Sequence, residues 1–512
     1  MRSFHAMRAI RRWVFRLHRL LGTLLCLLFL MWCISGYVVI YHGFPRLEHR
    51  EELARSLPLD PTQLPSPDSL CDILRTHGVS PDTIASLSMT RGLTGAVTIQ
   101  VKSKKRTQQL FSDGTPVPPR VVDSAYLTVL ASRWPECSGW RVDTLYSIDQ
   151  WTPSNALKAE LPFYRLVSRE GQHIYVGSQS GEILTESTRG DRIWAMVGAI
   201  PHWLYPTLLR QNRSVWRATI VVLGLLGSFM VGFGLYIGLE AYAKGWKRKR
   251  WHTPYKRRAY AWHHQLGTLG GLFLFLWIFS GMMSVVQLPG WLTGVPRGWK
   301  TPSLNVRTMP LSAYALDYRT LLAAQPEARA IAWSNFNGLP ILTVHTPEAS
   351  VAYDARTSTP QPLALTQEEV TAAIARVNSG AEAHCELITR YDLYYRPRRH
   401  GSPLPAYRVQ LNDAYSTTYY VDPQSGTYRS TNRATRLKSW LFTIPHRLAL
   451  PALTNRPWLW RGLVWLLLAI GTVVSGTGVI LGIRYLRRWL KRRRSRGRTR
   501  AGRGGSSCDA KA

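Results

Sequence analysis

Four histidines lie at matching places in two similar halves of this 512-residue chain. His18 and His263 each begin an apolar stretch, and His202 and His446 each follow an Ile-Pro pair ahead of another. Haem iron in electron-transfer proteins often takes two neutral imidazoles from different helices. The pattern therefore predicts two haem sites. One would be held by His18 and His263 and the other by His202 and His446, if the two halves pack around a pseudo-twofold axis.

The similarity between the halves extends beyond the histidines. A Ser-Gly pair follows both His18 and His263 after seventeen residues, and a Trp-Arg pair follows both His202 and His446 at fourteen and fifteen residues. The matched pairs are Ser35-Gly36 with Ser280-Gly281 and Trp216-Arg217 with Trp460-Arg461. Four glycines of each half also keep the same register, namely Gly227, Gly232, Gly234 and Gly238 with Gly471, Gly476, Gly478 and Gly482. This many matches in register indicate an internal duplication.

The elements that must position these residues are apolar helices. About 20 apolar residues cross the hydrocarbon of a bilayer, and four stretches are long enough. They predict transmembrane helices at 17–41, 215–239, 263–286 and 459–483. The remaining segments are a basic N-terminus at 1–16, outer domains at 42–198 and 287–442, outer interfacial segments at 199–214 and 443–458, a basic loop at 240–262 and a basic tail at 484–512.

The net charge of +35 comes largely from basic residues next to the predicted spans. Positively charged flanks remain in the cytoplasm, so both termini and the 240–262 loop are predicted to be cytoplasmic and the two large domains to lie outside. No nucleic-acid-binding motif accompanies the charge, which excludes nucleic acid as a partner and leaves the lipid bilayer. We expect residues 484–503 to be disordered and held near anionic lipid.

Each outer domain has the pattern of an α+β fold, with a helix, strands, a second helix and a closing hairpin. Thr366 and Glu369 have the spacing of a capping box at the start of one such helix. Alternating apolar residues precede a glycine turn at the end of both domains, which indicates half-buried strands. Cys71 and Cys137 share the first domain, where a disulfide is permitted.

The hairpin of the second domain contains Tyr420-Val-Asp422-Pro-Gln-Ser-Gly426, which resembles the PepSY domain. The His-x-x-x-Gly openings at His18 and His263 resemble the PepSY-associated transmembrane family, over nearly the whole chain. That resemblance implies a multi-pass protein of the bacterial inner membrane, with b-type haems among four helices and PepSY-like domains in the periplasm. The first domain departs from the pattern, because Gly177-Ser178 replaces Asp422-Pro423.

Two further residue pairs are candidates for haem contacts. Gly22 and Gly267 lie four residues after His18 and His263, on the same helix face, where a small residue leaves room for a flat macrocycle. Ordinary packing of small residues is the alternative. Arg217 and Arg461 could each pair with a haem propionate, or simply extend to the membrane interface. Gly234-x-x-x-Gly238 and Gly478-x-x-x-Gly482 are assigned to helix packing.

Two other histidines are rivals for the ligand positions. His264 is adjacent to His263 but points about 100° away on a helix. His42 lies at the outer end of the first span, and its counterpart in the second half is Gln287. The repeat register therefore favours His18, His202, His263 and His446.

The resemblance implies a ferric-siderophore reductase, in which electrons cross the membrane to a ferric siderophore or another periplasmic acceptor. The chain has no nucleotide-binding glycine motif, so the electron donor is expected to be separate, either quinol or a cytoplasmic reductase. A non-enzymatic alternative is a membrane-tethered PepSY module that binds or regulates proteases. A transporter would need broken spans or charged residues within the membrane, and none is expected here.

Overall fold

The computed structural model describes residues 2–93, 95–103, 107–117, 122–247, 253–397 and 401–504. Parts of the basic loop (248–252) and of the tail (505–512) therefore lie outside the described residues. The chain forms two compact units. A helical unit comprises the chain up to Phe44, Ile193–Gln287 and the chain from Lys438 onward, and a sheet unit comprises Pro45–Arg192 and Leu288–Leu437.

The α-helices of the described residues fall into long apolar helices and short connecting ones. They are α1 (Arg2–Val39), α2 (His49–Arg55), α3 (Pro67–Thr76), α4 (Ser124–Ala131), α5 (Arg189–Val197), α6 (Ala199–Trp203), α7 (Thr207–Arg210), α8 (Arg213–Lys247), α9 (Arg258–Leu269), α10 (Gly271–Met283), α11 (Gly290–Thr293), α12 (Tyr318–Ala323), α13 (Gln367–Val377), α14 (Arg433–Lys438), α15 (Ile444–Arg447), α16 (Pro451–Thr454) and α17 (Pro457–Gly504).

Three helices are long and apolar enough to cross a membrane, and a bent pair would make a fourth span. The three are Arg8–Val39, Arg213–Lys247 and Pro457–Arg493. Helices α9 and α10 meet at a bend of 67°. The expectation of an unbroken third span is therefore wrong, and with it the expectation that no span is broken.

Two glycines account for the position of this break. An ideal Cβ on Gly270 would lie 2.6 Å from Cγ2 of Ile470, and one on Gly271 would lie 3.0 Å from Cδ1 of Leu235. The bend thus brings this backbone close to both α17 and α8. A Gly-Gly pair is a common cause of a sharp helix kink, because glycine adds no side chain and little resistance to bending.

The tail also differs from its expectation. Helix α17 continues from the membrane span through Gly504, so residues 484–503 are helical and the prediction of disorder is wrong. Arginine, lysine and leucine are good helix formers, and the apolar span has already nucleated the helix. The cost of starting a helix therefore does not apply to the tail.

Within the helical unit, each span packs against spans from both halves of the chain. Helix α1 packs on α17 and on α8, α10 packs on α8, and α9 packs on α17. One apolar cluster joins Phe29 to Met230 and Val231, and another joins Leu448, at the end of α15, to Val464 and Leu468 of α17. These contacts hold the histidine-bearing helices together.

The sheet unit contains three antiparallel sheets among its described residues. Their strands are β1 (Ile84–Arg91), β2 (Val97–Ser103), β3 (Thr107–Phe111), β4 (Arg141–Leu145), β5 (Phe163–Val167), β6 (His173–Gly177), β7 (Ile183–Ser187), β8 (Ala330–Phe336), β9 (Leu339–His345), β10 (Ser350–Asp354), β11 (Ala383–Ile388), β12 (Ala406–Leu411), β13 (Thr418–Val421) and β14 (Tyr428–Thr431). Two four-stranded sheets have the orders β4-β5-β6-β7 and β11-β12-β13-β14.

The third sheet joins the two outer regions, which were expected to be separate domains. Its order is β10-β9-β8-β1-β2-β3, so β1 of the first region pairs with β8 of the second. Ser88 lies opposite Ala332 in this pairing, and the two are 244 positions apart, like His202 and His446. Two strands of one sheet therefore bury the apolar residues Leu87, Met89 and Ile331 in one shared core.

Local predictions in the sheet unit had mixed outcomes. The capping box of Thr366 and Glu369 is confirmed, since both reciprocal hydrogen bonds are present. Cys71 and Cys137 are both free thiols, so the permitted disulfide is absent between these two residues. The first helix of the second outer domain is short: Leu311–Ala313 forms a 3₁₀ turn and α12 begins only at Tyr318.

Candidate histidine-pair sites

Two short helices carry the outer histidines of the helical unit. His202 lies in α6 and His446 in α15, and both helices contain the proline that precedes the histidine. Each ends at a leucine in the left-handed conformation, with φ of 51° at Leu204 and 49° at Leu448. Such a φ is costly for a residue other than glycine, so the surrounding contacts must hold both turns in place.

The tryptophan of each Trp-Arg pair supplies one of those contacts. The indole Nε1 of Trp216 donates a hydrogen bond to the carbonyl of Trp203 at 3.0 Å. In the other half, Nε1 of Trp460 donates to the carbonyl of Arg447 at 2.7 Å. The start of each long span therefore ties down the end of the short helix that carries the outer histidine.

The structure brings the four predicted histidines together as two pairs. The ring centroids of His18 and His263 are 6.3 Å apart, with the rings inclined by 50°. The centroids of His202 and His446 are also 6.3 Å apart, with an inclination of 56°. Each pair takes one ring from each half of the chain.

Hydrogen bonds fix the protonation of the inner rings. Nδ1 of His18 lies 2.9 Å from the carbonyl of Met230, and Nδ1 of His263 lies 3.0 Å from the carbonyl of Val474. A carbonyl can only accept, so Nδ1 is the protonated nitrogen in both rings. In a neutral imidazole the other nitrogen, Nε2, then carries the free lone pair that binds a metal.

The outer rings have the same arrangement. Nδ1 of His446 lies 3.1 Å from the carbonyl of Trp277 and 3.2 Å from Oγ of Ser280. Nδ1 of His202 lies 3.2 Å from Oγ of Ser35. Because both hydroxyls donate to a carbonyl of their own helix, they accept from the imidazoles. Among the described residues, Nε2 of none of the four histidines has a hydrogen-bond partner.

Glycines on neighbouring helices lie directly against the rings. An ideal Cβ on Gly234 would be 2.6 Å from Cε1 of His18, and one on Gly281 would be 3.2 Å from Cε1 of His446. At Gly478 the corresponding distance to His263 is 3.6 Å. The helix packing predicted for Gly234 and Gly478 therefore includes a histidine ring in both cases. A larger side chain at Gly234 would push the imidazole of His18 out of position.

Packing explains the other glycine of each Gly-x-x-x-Gly run. A Cβ on Gly238 would be 2.2 Å from Oγ1 of Thr268, and one on Gly482 would be 3.4 Å from Cα of Thr23. Gly22 and Gly267 behave differently. Each would bring a Cβ within 4 Å of one side-chain atom only, at 3.8 Å, so protein does not fill the space beside them.

Burial affects the charge of the outer pair. Removal from water lowers the pKa of both His202 and His446 to about 4, because the charged form loses its hydration. Both rings are therefore neutral at physiological pH, which is the form that ligates metals. Each of the two residues nevertheless keeps part of its surface uncovered by protein.

These distances fit a metal ion shared by the two rings of each pair. A metal–imidazole bond is about 2.0–2.1 Å and a ring nitrogen lies about 1.1 Å from the centroid, so rings on opposite sides of one metal have centroids about 6.3 Å apart. Directly hydrogen-bonded rings would be about 1 Å closer. The described residues contain no cluster of three or more His, Cys, Asp or Glu side chains suited to a metal, so a metal at either pair would have two protein ligands. Haem, which supplies four ligands of its own, matches such a site.

The remaining candidates do not join the pairs. His42 stacks on Trp194 with the ring centroids 4.6 Å apart, and His264 stacks on Tyr242 at 4.8 Å. Arg461 is exposed.

Arg217 is half-buried, and its charge lowers the pKa of nearby Lys438, for which burial is the larger cause. Within the described residues neither Arg217 nor Arg461 makes a hydrogen bond or ion pair, so both stay candidates for an anionic group that is not protein.

The residues that orient the rings have no predicted role. Ser35 and Ser280 are matched positions in the sequence, and their recurrence seventeen residues after a histidine is a signal that could have identified them. The carbonyls of Met230 and Val474 left no signal, because any residue type supplies one. Met230 and Val474 are 244 positions apart, so the register of the repeat could have predicted that these two residues match.

Comparisons with known proteins assign no family to the chain. No protein-family model matches it, and no curated protein sequence does.

Proposed function

We propose that this protein carries electrons across a membrane through two b-type haems. His18 and His263 would hold one haem, and His202 and His446 the other. The observation that carries the proposal is the equal separation of 6.3 Å within both pairs, together with Nδ1 bonds that leave every Nε2 free. A haem supplies an iron that changes between the ferric and ferrous states by one electron.

The spacing of the pairs supports transfer across the bilayer. His18 and Ser35, which contacts His202, are seventeen residues apart on the continuous helix α1. At a rise of about 1.5 Å per residue the two levels are about 25 Å apart, close to the roughly 30 Å of the hydrocarbon core. The apolar helices between them exclude water.

The protein's own groups would tune both sites. The carbonyls and hydroxyls that accept from Nδ1 raise the basicity of the imidazoles and favour the ferric state. Gly22 and Gly267 leave space beside the inner pair, and Arg217 and Arg461 are cations near the outer end of their spans that a haem propionate could engage.

The two halves support a duplication, which we propose as the origin of the pairs. The sheet unit repeats one order twice, as helix, three strands, helix and four strands. The antiparallel pairing of β1 with β8 places Ser88 opposite Ala332, 244 positions away, as expected for a pseudo-twofold axis. The PepSY-like assignment of these outer domains rests on the hairpin ending at Gly426.

The direction of transfer follows from the charge pattern. With both termini in the cytoplasm, electrons from quinol or a cytoplasmic reductase would enter at His18 and His263. They would leave from His202 and His446 to a ferric siderophore or another periplasmic acceptor of the bacterial inner membrane. Reduction releases iron because hard oxygen ligands bind ferric iron more tightly than ferrous iron.

An absorption spectrum of the detergent-purified protein tests the proposal. A Soret band and sharp α-bands after reduction are expected, and a ferric siderophore should reoxidise the reduced protein. Absence of these bands after haem-replete expression would contradict the haem proposal and favour a non-enzymatic PepSY binding module. The broken third span is one feature of transporters, but residues 266–286 contain no charged side chain that a substrate ion would need.

A further inference from the structure

The outer end of the helical unit carries positive charge without any negative charge. Segments 193–214 and 438–458, which lead up to the spans of α8 and α17, contain five basic residues and no acidic residue. These five form what we call the outer cationic rim: Arg210, Arg213, Lys438, Arg447 and Arg456. Short segments on the outer side of a membrane protein are usually poor in lysine and arginine, because basic flanks remain in the cytoplasm. Topology therefore does not account for the rim.

Arg447 lies close to the outer histidine pair. Its guanidinium carbon is 5.9 Å from the ring centroid of Phe442, and the centroids of Phe442 and His446 are 5.4 Å apart. The attraction between a cation and the face of an aromatic ring holds the guanidinium in this position but leaves its charge unchanged. A full positive charge is thus held within two ring contacts of the outer pair.

Arg210 is linked to the other ring of the pair. Its guanidinium carbon lies 5.0 Å from the ring centroid of Tyr205 and 4.9 Å from that of Trp216. Trp216 in turn donates to the carbonyl of Trp203, the residue that follows His202. The same indole therefore positions both an arginine and the end of the helix that carries an outer histidine.

The groups that contact the rim do not neutralise it. Nζ of Lys438 donates to the carbonyls of Met283 and Val286 at the end of α10, and both acceptors are uncharged. Within the part of the chain that the structure describes, neither Lys438 nor Arg210 forms an ion pair with a carboxylate. The positive charge of the rim is therefore available to a ligand.

We propose that the outer cationic rim binds the electron acceptor and selects ferric chelates that carry a net negative charge. This inference rests on the proposed function, in which electrons leave from His202 and His446. One electron passes from the ferrous haem iron to the chelated ferric iron, so the haem becomes ferric and the chelate ferrous, and no proton is transferred. Opposite charge raises the local concentration of a ligand and speeds its association by about 10- to 1,000-fold, whereas like charge opposes a cationic chelate.

Anionic lipid headgroups are the alternative ligand for these cations. Snorkelling side chains reach headgroups by extending away from the protein. Arg210 and Lys438 are instead half-buried, the first against aromatic rings and the second against backbone carbonyls of α10. These contacts hold the two charges at the protein surface, which favours a ligand that docks on the protein.

The test measures oxidation of the reduced, haem-loaded protein in sealed phosphatidylcholine vesicles with the outer domains facing outward. Fe(III)-EDTA, an anionic chelate, or hexaammineruthenium(III), a cationic one-electron acceptor, is added outside, and haem oxidation is followed by stopped flow. Neither acceptor crosses the membrane, so both react at the outer end. Equilibrium dialysis of the same vesicles with Ga(III)-EDTA, an anionic chelate that is not reduced, measures binding without electron transfer.

Arg210→Gln and Arg447→Gln are compared with Arg487→Gln, which removes an exposed arginine at the other end of α17. We expect each rim variant to slow oxidation by Fe(III)-EDTA and to weaken Ga(III)-EDTA binding by about three- to tenfold, while the cationic acceptor reacts no more slowly. Arg487→Gln should change none of these. Salt provides a test that needs no variant. Between about 10 and 100 mM the screening length falls from about 30 Å to about 10 Å, so the anion should react more slowly and the cation faster.

Equal salt dependence for the two acceptors, or unchanged rates and binding in both rim variants, would overturn the inference. Loss of bound phosphatidylglycerol from the purified rim variants with unchanged rates would also overturn it and assign the rim to lipid headgroups. The proposed function would survive these results, because the reduced haem would still be oxidised from the outer side. Wild-type protein without haem would instead refute the proposed function itself.

Discussion

Replacement of Gly234 by alanine should selectively disrupt the inner histidine pair. The new Cβ would lie 2.6 Å from Cε1 and 3.1 Å from Nδ1 of His18. Carbon atoms in contact prefer about 3.5–4.0 Å, so the ring must move by about 1 Å. Gly232→Ala is the matched control on the same helix, since its Cβ would meet no atom within 4 Å.

The displacement has two costs. Forcing a methyl group into a filled space costs about 1–3 kcal/mol. A shift of about 1 Å would also lengthen the 2.9 Å contact between His18 and the carbonyl of Met230 beyond hydrogen-bonding range, at about 1 kcal/mol. The sum of about 2–4 kcal/mol corresponds to haem binding weakened by about 30- to 1,000-fold. Gly232→Ala should be neutral or slightly stabilising, because alanine is the better helix former.

Haem per protein after purification, with electron paramagnetic resonance to separate the two low-spin signals, provides the assay. We expect Gly234→Ala to lose one signal and keep the other, while Gly232→Ala keeps both. Gly478→Ala should have a smaller effect, since its Cβ would lie at an ordinary contact distance of 3.6 Å from His263. Full haem content in Gly234→Ala, or equal loss in both variants, would refute the reasoning.

Other parts of the molecule yield predictions of the same kind. Ser35→Ala removes the acceptor at Nδ1 of His202, so haem binding should weaken by about 10- to 100-fold and the outer potential should rise; a redox titration with no change would count against this role. Thr366→Ala should lower the free energy of unfolding by about 1 kcal/mol in denaturant melts while haem content stays the same. Lowering the pH from 6.5 to 4 should destabilise the haem-free protein. Over this range the histidines of the unfolded chain take up protons, whereas His202 and His446 in the folded protein, with a pKa of about 4, do not. Thermal melts of wild type and His446→Gln should therefore differ in slope across that window, and equal slopes would contradict the assigned burial.

Much of the helical unit follows from sequence because its signals are local. Apolar runs identify three spans directly, and matching intervals select four of fourteen histidines. The break at Gly270 could not be derived from apolarity, since glycine is common in unbroken membrane helices. It depends on contacts with Ile470 and Leu235 that only the packed bundle reveals.

The sheet unit was less predictable because its main feature is a long-range pairing. Strands β1 and β8 are about 240 residues apart, and neither has a pattern that specifies its neighbour. The capping box of Thr366 involves residues three apart and was correctly predicted. In the histidine-pair sites, the backbone carbonyls that orient the rings, such as that of Met230, cannot be predicted from residue type, because every residue has a carbonyl.

Haem stoichiometry in paired histidine variants tests the central claim most directly. His202→Ala and His446→Ala should each lose one of two haems, and the double variant should lose no more, because both residues serve one site. Combining His18→Ala with His446→Ala should instead remove both haems. Two haems in all the single variants, or a loss of both haems in the His202/His446 double variant with His18 and His263 intact, would contradict the pairing.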